Sequence, residues 1–427
     1  MSADAQQCEH LSDYFTVSSN AAEVFGWNMS AIMASSNSTH WCCVVPEFSS
    51  IITCVDDVIV VLSLGQAGVS GQLKDLSKLP RLMALLLNDN HFTGSLEGLE
   101  ALRFMSVLDI SNNELTGSLN PLSGFEMVST IILDNNQLTG SLEPLMSFTR
   151  LQHLQINNNS LTGSISPLSN LTRLNSIWLG ENYLQDSIQP LQDLTQLTSL
   201  GLHLNILTGS LSTLTNLTGL NQLYLSRNSI TGSLADLSGL TNLQGLFLHR
   251  LSLTGSLEPL RNLTGLVDLG LESSGITGSL EPLTHLQSLE HLSLSNNILS
   301  GTLQPLSELT KLSRLGLEST GVTGSLHPLS NLTRLQALGL SNNQLHGDLQ
   351  SLCGCNSMLE LGLASNYFTG SVLPLSNLRD LVRVSLSHNF LTGTLAPFHS
   401  LTQLSSLWFS ANLFTGPVDA LGKFLLF

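Results

Sequence analysis

Residues able to do chemistry are plentiful in this chain, but their spacing does not suit catalysis. The 427 positions include 12 histidines, six cysteines and 31 acidic side chains. There is no His-Glu-x-x-His pair to hold zinc, no glycine-rich loop ending in Lys-Ser or Lys-Thr to cradle a phosphate, and no Gly-x-Ser-x-Gly elbow to present a nucleophile. No two carboxylates stand at a spacing suited to acid-base work, and the histidines are scattered over surfaces where solvation is the simpler account. The nearest approach to a metal set is His346, Cys353 and Cys355, which lacks a fourth partner, and Cys355 replaces an apolar core residue. The expectation is a protein that is not an enzyme and has no metal and no cofactor.

Cross-linking is the chemistry the cysteines can do. Cys8, Cys42, Cys43 and Cys54 cluster at one end, which reads as a stapled terminal cap in an oxidising compartment. All four are disulfide candidates, Cys54 with Cys42 or Cys43 and Cys8 with the other. Sequons at Asn28, Asn37, Asn158, Asn170, Asn216, Asn262 and Asn331 are glycosylation candidates consistent with secretion to the cell surface or beyond. The formal charge of −16 argues against nucleic acid or an anionic membrane as partner, because phosphate binding needs clustered Lys and Arg. No run approaches the roughly 20 apolar residues of a membrane span, and the first residues lack the basic start and apolar core of an export signal. A secreted chain of this kind is expected to be a mature or truncated form, associating with a membrane only through segments it does not contain.

The elements that must position these groups repeat. Glycines stand at 71, 94, 117, 140 and 163 and then at every twenty-third position from 209 to 416, with Asp186 in the one missing slot, which makes sixteen units. Around each glycine the unit reads L-x-x-L-x-L-x-x-N-x-L-T-G-S-L-x-P-L-x-x-L-x-x. In L-x-L the leucines share one side of an extended strand and the residue between them faces the other way. Beyond the glycine, leucines at every third position suit 3₁₀ turns, in which residues i and i+3 overlie each other. One coil cannot bury its leucines alone, so neighbours must stack on a shared core. The fold expected is α/β, a right-handed solenoid with one continuous parallel concave sheet and a 3₁₀ or irregular convex side. Sixteen strands about 4.8 Å apart would make a sheet on the order of 75 Å long. The asparagine four before each glycine can donate to and accept from the backbone of adjacent coils, a scaffold role. Proline four after the glycine, present in ten units, fixes the return segment.

These motifs carry a resemblance. Residues 59–427 resemble the leucine-rich-repeat superfamily, and L-T-G-S-L resembles its plant-type class, found in receptor ectodomains and polygalacturonase-inhibiting proteins. Trp41-Cys42-Cys43, Cys54 and the strand-like Val58 to Leu64 resemble the N-terminal cap of that class, so residues 1–58 are expected to be a helical, cysteine-bearing cap. One departure is that the plant-type unit is one residue longer, with Ile-Pro directly after G-x, whereas L-x-P-L here is nearer the short units of phosphatase-regulatory repeat proteins. Whether a second sheet runs along T-G-S-L is left open by this mixture.

The resemblance implies a ligand on the concave face, where the scaffold does not dictate side-chain identity. Large aromatics gather in the middle strand row at Trp178, Tyr224 and Phe247, and Trp408 stands later in the same row. Flanking rows hold His203, Arg227, His249, Arg250, Asp268 and Glu272, with Arg314 and Glu318 two units on. Aromatics and arginines most often carry interface energy, so these eleven residues, Trp408 apart, are the candidate ligand-binding set. The plainer alternative makes Arg227, Arg250, Asp268 and Glu272 ordinary exposed ion pairs. Leu251, Ser274 and Thr320 replace the recurring asparagine, and Gly275 and Gly321 follow two of them, which points to a local shift in geometry or to drift.

The function expected is an extracellular or cell-surface recognition module for a protein, peptide or glycan. One alternative is a structural protein whose Thr and Ser array meets ice or polysaccharide. Another is an intracellular adaptor or phosphatase regulator, which would need reduced cysteines. The last unit ends in Phe424-Leu425-Leu426-Phe427 without a polar cap, so the chain is expected to be a fragment of something longer.

Overall fold

The computed structural model describes residues 52–56, 58–416 and 425–426. The chain divides into two compact units, Met1–Gly209 and Ser210–Phe427. Cys8, Cys42, Cys43, Asn28, Asn37 and the helical reading of the cap lie outside the described residues, as do Phe424 and Phe427.

A single coil shows how the sequence makes the structure. His153–Gln155 is a strand of three residues whose central Leu154 is fully buried while its neighbours are partly exposed. Ser160–Ser164 forms a second short strand, and Ser166–Leu168 a 3₁₀ turn with Pro167 near its start. Leu154, Ile156, Leu161, Ile165, Leu168, Leu171 and Leu174 all point inward with no exposed surface. Burying each is worth about 2 kcal/mol, so every coil adds its own share of core. Return segments throughout the described residues are 3₁₀ turns.

In the first unit Ile52–Val55 pairs antiparallel with Val58–Ser63. From Val58–Ser63 the sheet then runs parallel through Ala84–Leu86, Val107–Asp109, Thr130–Ile132, His153–Gln155, Ser176–Trp178 and Ser199–Gly201, each in 23-residue register. A second sheet of six strands follows the T-G-S segments from Ser70–Gly71 to Tyr183–Gln185, which answers the question the sequence left open. Its threonine hydroxyls donate to the glycine carbonyl of the preceding coil, as Thr116 Oγ1 does to Gly94 O at 3.1 Å. The regular hydroxyl array therefore serves the turn.

The second unit holds ten parallel concave strands, from Gln222–Tyr224 to Leu425–Leu426. Its T-G-S sheet comes in pieces. Ser229–Ser233 pairs with Ser252–Thr254, Thr277–Ser279 with Ile298–Ser300, and a further run extends from Thr323–Gly324 to Leu413–Phe414. Only single bridges, Ser256 with Thr277 and Thr302 with Thr323, span the gaps between these pieces.

Both of these gaps fall where the asparagine ladder is altered. Asn136, 8% exposed, accepts from the Leu115 N–H at 3.0 Å and donates to the carbonyls of Ile110 at 3.0 Å and Leu133 at 3.2 Å, clipping neighbouring coils together. Ser274 manages a donation to Leu248 O at 2.7 Å and Thr320 one to Leu317 O at 2.9 Å, through shorter side chains that leave the next residues to adjust. Gly275 and Gly321 absorb the change with φ of +77° and +92°. A Cβ at Gly275 would stand 2.8 Å from the Leu253 carbonyl oxygen, so only glycine fits. Local geometry does shift at these substitutions. Asp186, in the glycine slot, adopts the same left-handed backbone at φ +68°.

Candidate functional site

Alternate strand residues of the second unit face away from the core and form three rows. The first runs Asp268, His291, Arg314, Ala337, Glu360 and Arg383. A middle row runs Phe247, Gly270, Ser293, Gly316, Gly339, Gly362, Ser385 and Trp408, and the third begins His249, Glu272, Ser295 and Glu318. Together the rows line an open groove of about 560 Å³. Phe247 and Trp408 sit seven strand pairings apart, which is about 34 Å. Between them the floor is glycine and serine only.

The glycines are what make the lane. At Gly270 a Cβ would come within 2.3 Å of His249 Cε1 and 2.7 Å of Phe247 Cδ1, so both rings lie across it. A Cβ at Gly339 would overlap the Glu318 carboxylate. At Gly316 it would meet the side-chain oxygens of Ser293, Ser295 and Glu318 at 3.3 Å, and at Gly362 nothing nearer than 3.4 Å.

Charges of both signs line the walls. Asp268 pairs with His291 Nδ1, and Glu360 with Arg383, each across adjacent strands in register. Ser293 donates to Glu272, and Ser295 to Glu318. Arg314 is exposed and makes no ion pair among the described residues. His249 Nδ1 accepts from the Glu272 N–H at 3.3 Å, a role only a nitrogen without a proton can play. Burial pushes the His249 pKa down, Arg227 adds to this, and Glu272 opposes it. Tyr224 stacks on Phe247 with centroids 4.8 Å apart and donates to Gln222 Oε1 at 2.9 Å. Its phenol pKa is raised by burial and further by Asp268.

Of the residues the sequence singled out, Phe247, His249, Asp268, Glu272, Arg314 and Glu318 converge on this groove. Tyr224 flanks it through the Phe247 stack. Arg227 and Arg250 do not line it: both occupy the left-handed turn after the strand, at φ +58° and +56°, and are exposed. Neither forms the ion pair with Asp268 or Glu272 that the plainer reading expected, because those carboxylates already engage His291 and Ser293. In the first unit, the Trp178 indole lies over Gly201, where a Cβ would be 2.2 Å from Cε3, and His203 lies over Gly180 with Nε2 3.8 Å from Glu181. His203 Nδ1 is buried without a hydrogen-bond partner.

Three groove residues, His291, Glu360 and Arg383, carry no signal in the aromatic pattern but fall at steps of 23 from Asp268 along the first row. Trp408, seen in the middle row of the sequence but outside the candidate set, lines the groove as well. Among the described residues no group of three or more His, Cys, Asp or Glu is placed to hold a metal. Cys353 and Cys355 are free thiols, and burial, with Cys353 adding, pushes the Cys355 pKa up to about 11. Asn158, Asn170, Asn216, Asn262 and Asn331 are all exposed. No helix of the described residues is long and apolar enough to cross a membrane.

Comparison with known proteins agrees with the repeat fold. A family model described as leucine rich repeats (2 copies) matches residues 149–194. A crystal structure of a TDR receptor is similar with a TM-score of 0.75 and 30% identity, covering 85% of this chain and 67% of that one. The plant peptide hormone receptor RGFR1 in complex with RGF2 is similar with a TM-score of 0.72 and 29% identity, over 84% of this chain and 65% of that one. An internalin, inlF, from Listeria monocytogenes is similar with a TM-score of 0.53 and 27% identity, over 77% and 88%. The chain thus spans about two thirds of the length of the two plant-type structures. A search of curated proteins found no match.

Proposed function

Because the chain belongs to the leucine-rich-repeat superfamily, we propose that it is an extracellular, non-enzymatic recognition module that binds an extended peptide along the concave lane of its second unit. The observation that carries this reading is the floor of glycine and serine between Phe247 and Trp408, walled by carboxylates, His291, Arg314 and Arg383. Where the floor is open, at Gly362, a backbone can approach closely; the walls supply charge for side chains, and the two aromatics supply apolar anchors. At about 3.3 Å per residue, the 34 Å between the aromatics accepts a peptide of roughly ten residues. RGFR1 in complex with the peptide RGF2 supports a peptide as ligand class. Within the groove, the candidate ligand-binding residues are Phe247, His249, Asp268, Glu272, His291, Arg314, Glu318, Glu360, Arg383 and Trp408; Trp178 and His203 are proposed separately, as contacts on the first unit alone.

Secretion fits the exposed sequons and Cys54, which is disulfide-bonded. The test is selection of displayed random peptides on wild-type protein, followed by rebinding to Gly362→Phe, a change whose Cβ meets nothing nearer than 3.4 Å and whose ring is meant to fill the lane; circular dichroism checks that the variant folds. Selected peptides are expected to lose at least about 100-fold in affinity. Equal affinity for both proteins would remove the lane as the site.

A further inference from the structure

A second groove of about 660 Å³ lies in the first unit, on the side where the chain enters the concave strands. Its wall is one row in 23-residue register: Arg81, Phe104, Met127, Arg150 and Arg173. All five are exposed, Phe104 by 46% and Met127 by 41%, and Met83 beside them is 49% exposed. The scaffold does not explain this, because buried apolar residues near each position, such as Leu102 and Met105 around Phe104, already fill the core. Arg81 Cζ lies over the Phe104 ring, 5.3 Å from its centroid, which places the ring beside a cation. Arg150 and Arg173 make no ion pair among the described residues, and Asp56 is the one carboxylate lining the groove.

We infer that this row is a docking surface for an acidic, apolar protein segment, one that sets leucine-like side chains against Phe104 and Met127 and carboxylates against Arg81, Arg150 and Arg173. Charge complementarity selects the occupant. In a chain of net charge −16 with only 15 basic residues, three arginines against one carboxylate on one groove are a local reversal of sign. Phe, Met and Arg are also the side chains enriched where proteins bind proteins. From Arg81 to Arg173 the row covers four strand pairings, about 19 Å, enough for roughly six extended residues. This surface is distinct from the lane of the second unit and does not depend on it.

The experiment uses the full chain and two labelled peptides of about eight residues, one alternating Glu with Leu and one alternating Lys with Leu. Wild type is expected to bind the Glu-Leu peptide, more weakly as salt rises, and to ignore the Lys-Leu peptide. Arg150→Glu with Arg173→Glu, and separately Phe104→Ser, are each expected to lower that affinity at least about tenfold, while Gly362→Phe leaves it unchanged. Because the altered side chains are exposed, circular dichroism should match wild type. Equal binding of the two peptides, or indifference to the charge reversal, would overturn the assignment. A photoreactive benzoylphenylalanine in place of Phe104 closes the remaining routes. Cross-links to the added Glu-Leu peptide support the docking surface, whereas cross-links to residues 1–50 of the same chain, or to a second copy, would assign the groove to them instead.

Discussion

The two units are built on one repeat but use their polar side chains differently. In the first, the ladder asparagines Asn90 to Asn205 are unbroken and the T-G-S sheet runs through six strands. Two of its concave polar groups bond closely to their own scaffold. Asp134 accepts from both the backbone and the side-chain nitrogen of Asn157, at 2.6 Å and 3.0 Å, and Asn157 accepts from the Gly180 N–H at 2.8 Å. In the second, the ladder is altered at Leu251, Ser274 and Thr320, the T-G-S sheet is broken, and the middle concave row between Phe247 and Trp408 is stripped to glycine and serine. Arg314 stands there without an ion pair. A repeat fixes the core and the turns tightly, so variation that does appear collects on the surface the core does not govern, and on the few turns that have adjusted to it.

Substitution at the ladder gives the largest expected break in this contrast. Asn136→Ala leaves the Leu115 N–H and the Ile110 and Leu133 carbonyls without their buried partner, and should destabilise the first unit by about 3 kcal/mol, read as a lower urea midpoint. Trp408→Ala should cost about 2 kcal/mol of affinity for lane-selected peptides, measured by titration calorimetry, with the fold intact. Leu251→Asn restores the ladder in the second unit. It should be neutral or stabilise by up to about 1 kcal/mol, and a large loss in thermal denaturation would show that the coil has repacked around leucine. Asp186→Gly relieves a left-handed aspartate at φ +68°, so a gain of about 0.5–1 kcal/mol is expected in the same assay.

The smallest effect is set by pH. Burial holds the His249 pKa below its ordinary value of 6.5, so the unfolded chain takes up the proton more readily than the folded one. The stability this residue contributes is complete above pH 6.5 and declines as pH falls toward the lower folded value. His249→Gln should flatten that part of a stability-against-pH curve; an unaltered slope would place its origin elsewhere.

Much of the fold was legible because it obeys a period. Leu154, Leu161 and their equivalents are buried where the pattern requires, and the 3₁₀ returns fall on the prolines. The T-G-S sheet was not legible, since the consensus mixes two kinds of unit and backbone pairing along it depends on how closely coils stack. The site was read in part. Phe247, Asp268 and Glu318 were visible as chemistry, but the lane was missed because its defining residues are glycines, which signal by what they lack. Arg227 and Arg250 misled because counting along a strand does not reveal that the backbone has already turned at residue 227 or 250.

Hydroxyl-radical footprinting of the full chain, with and without a peptide selected on it, tests the lane most directly. Phe247, His291 and Trp408 should all lose reactivity when the peptide is bound, while the T-G-S residues of the same coils keep theirs. Protection confined to the T-G-S edge, with Phe247 and Trp408 still open to oxidation, would contradict the account.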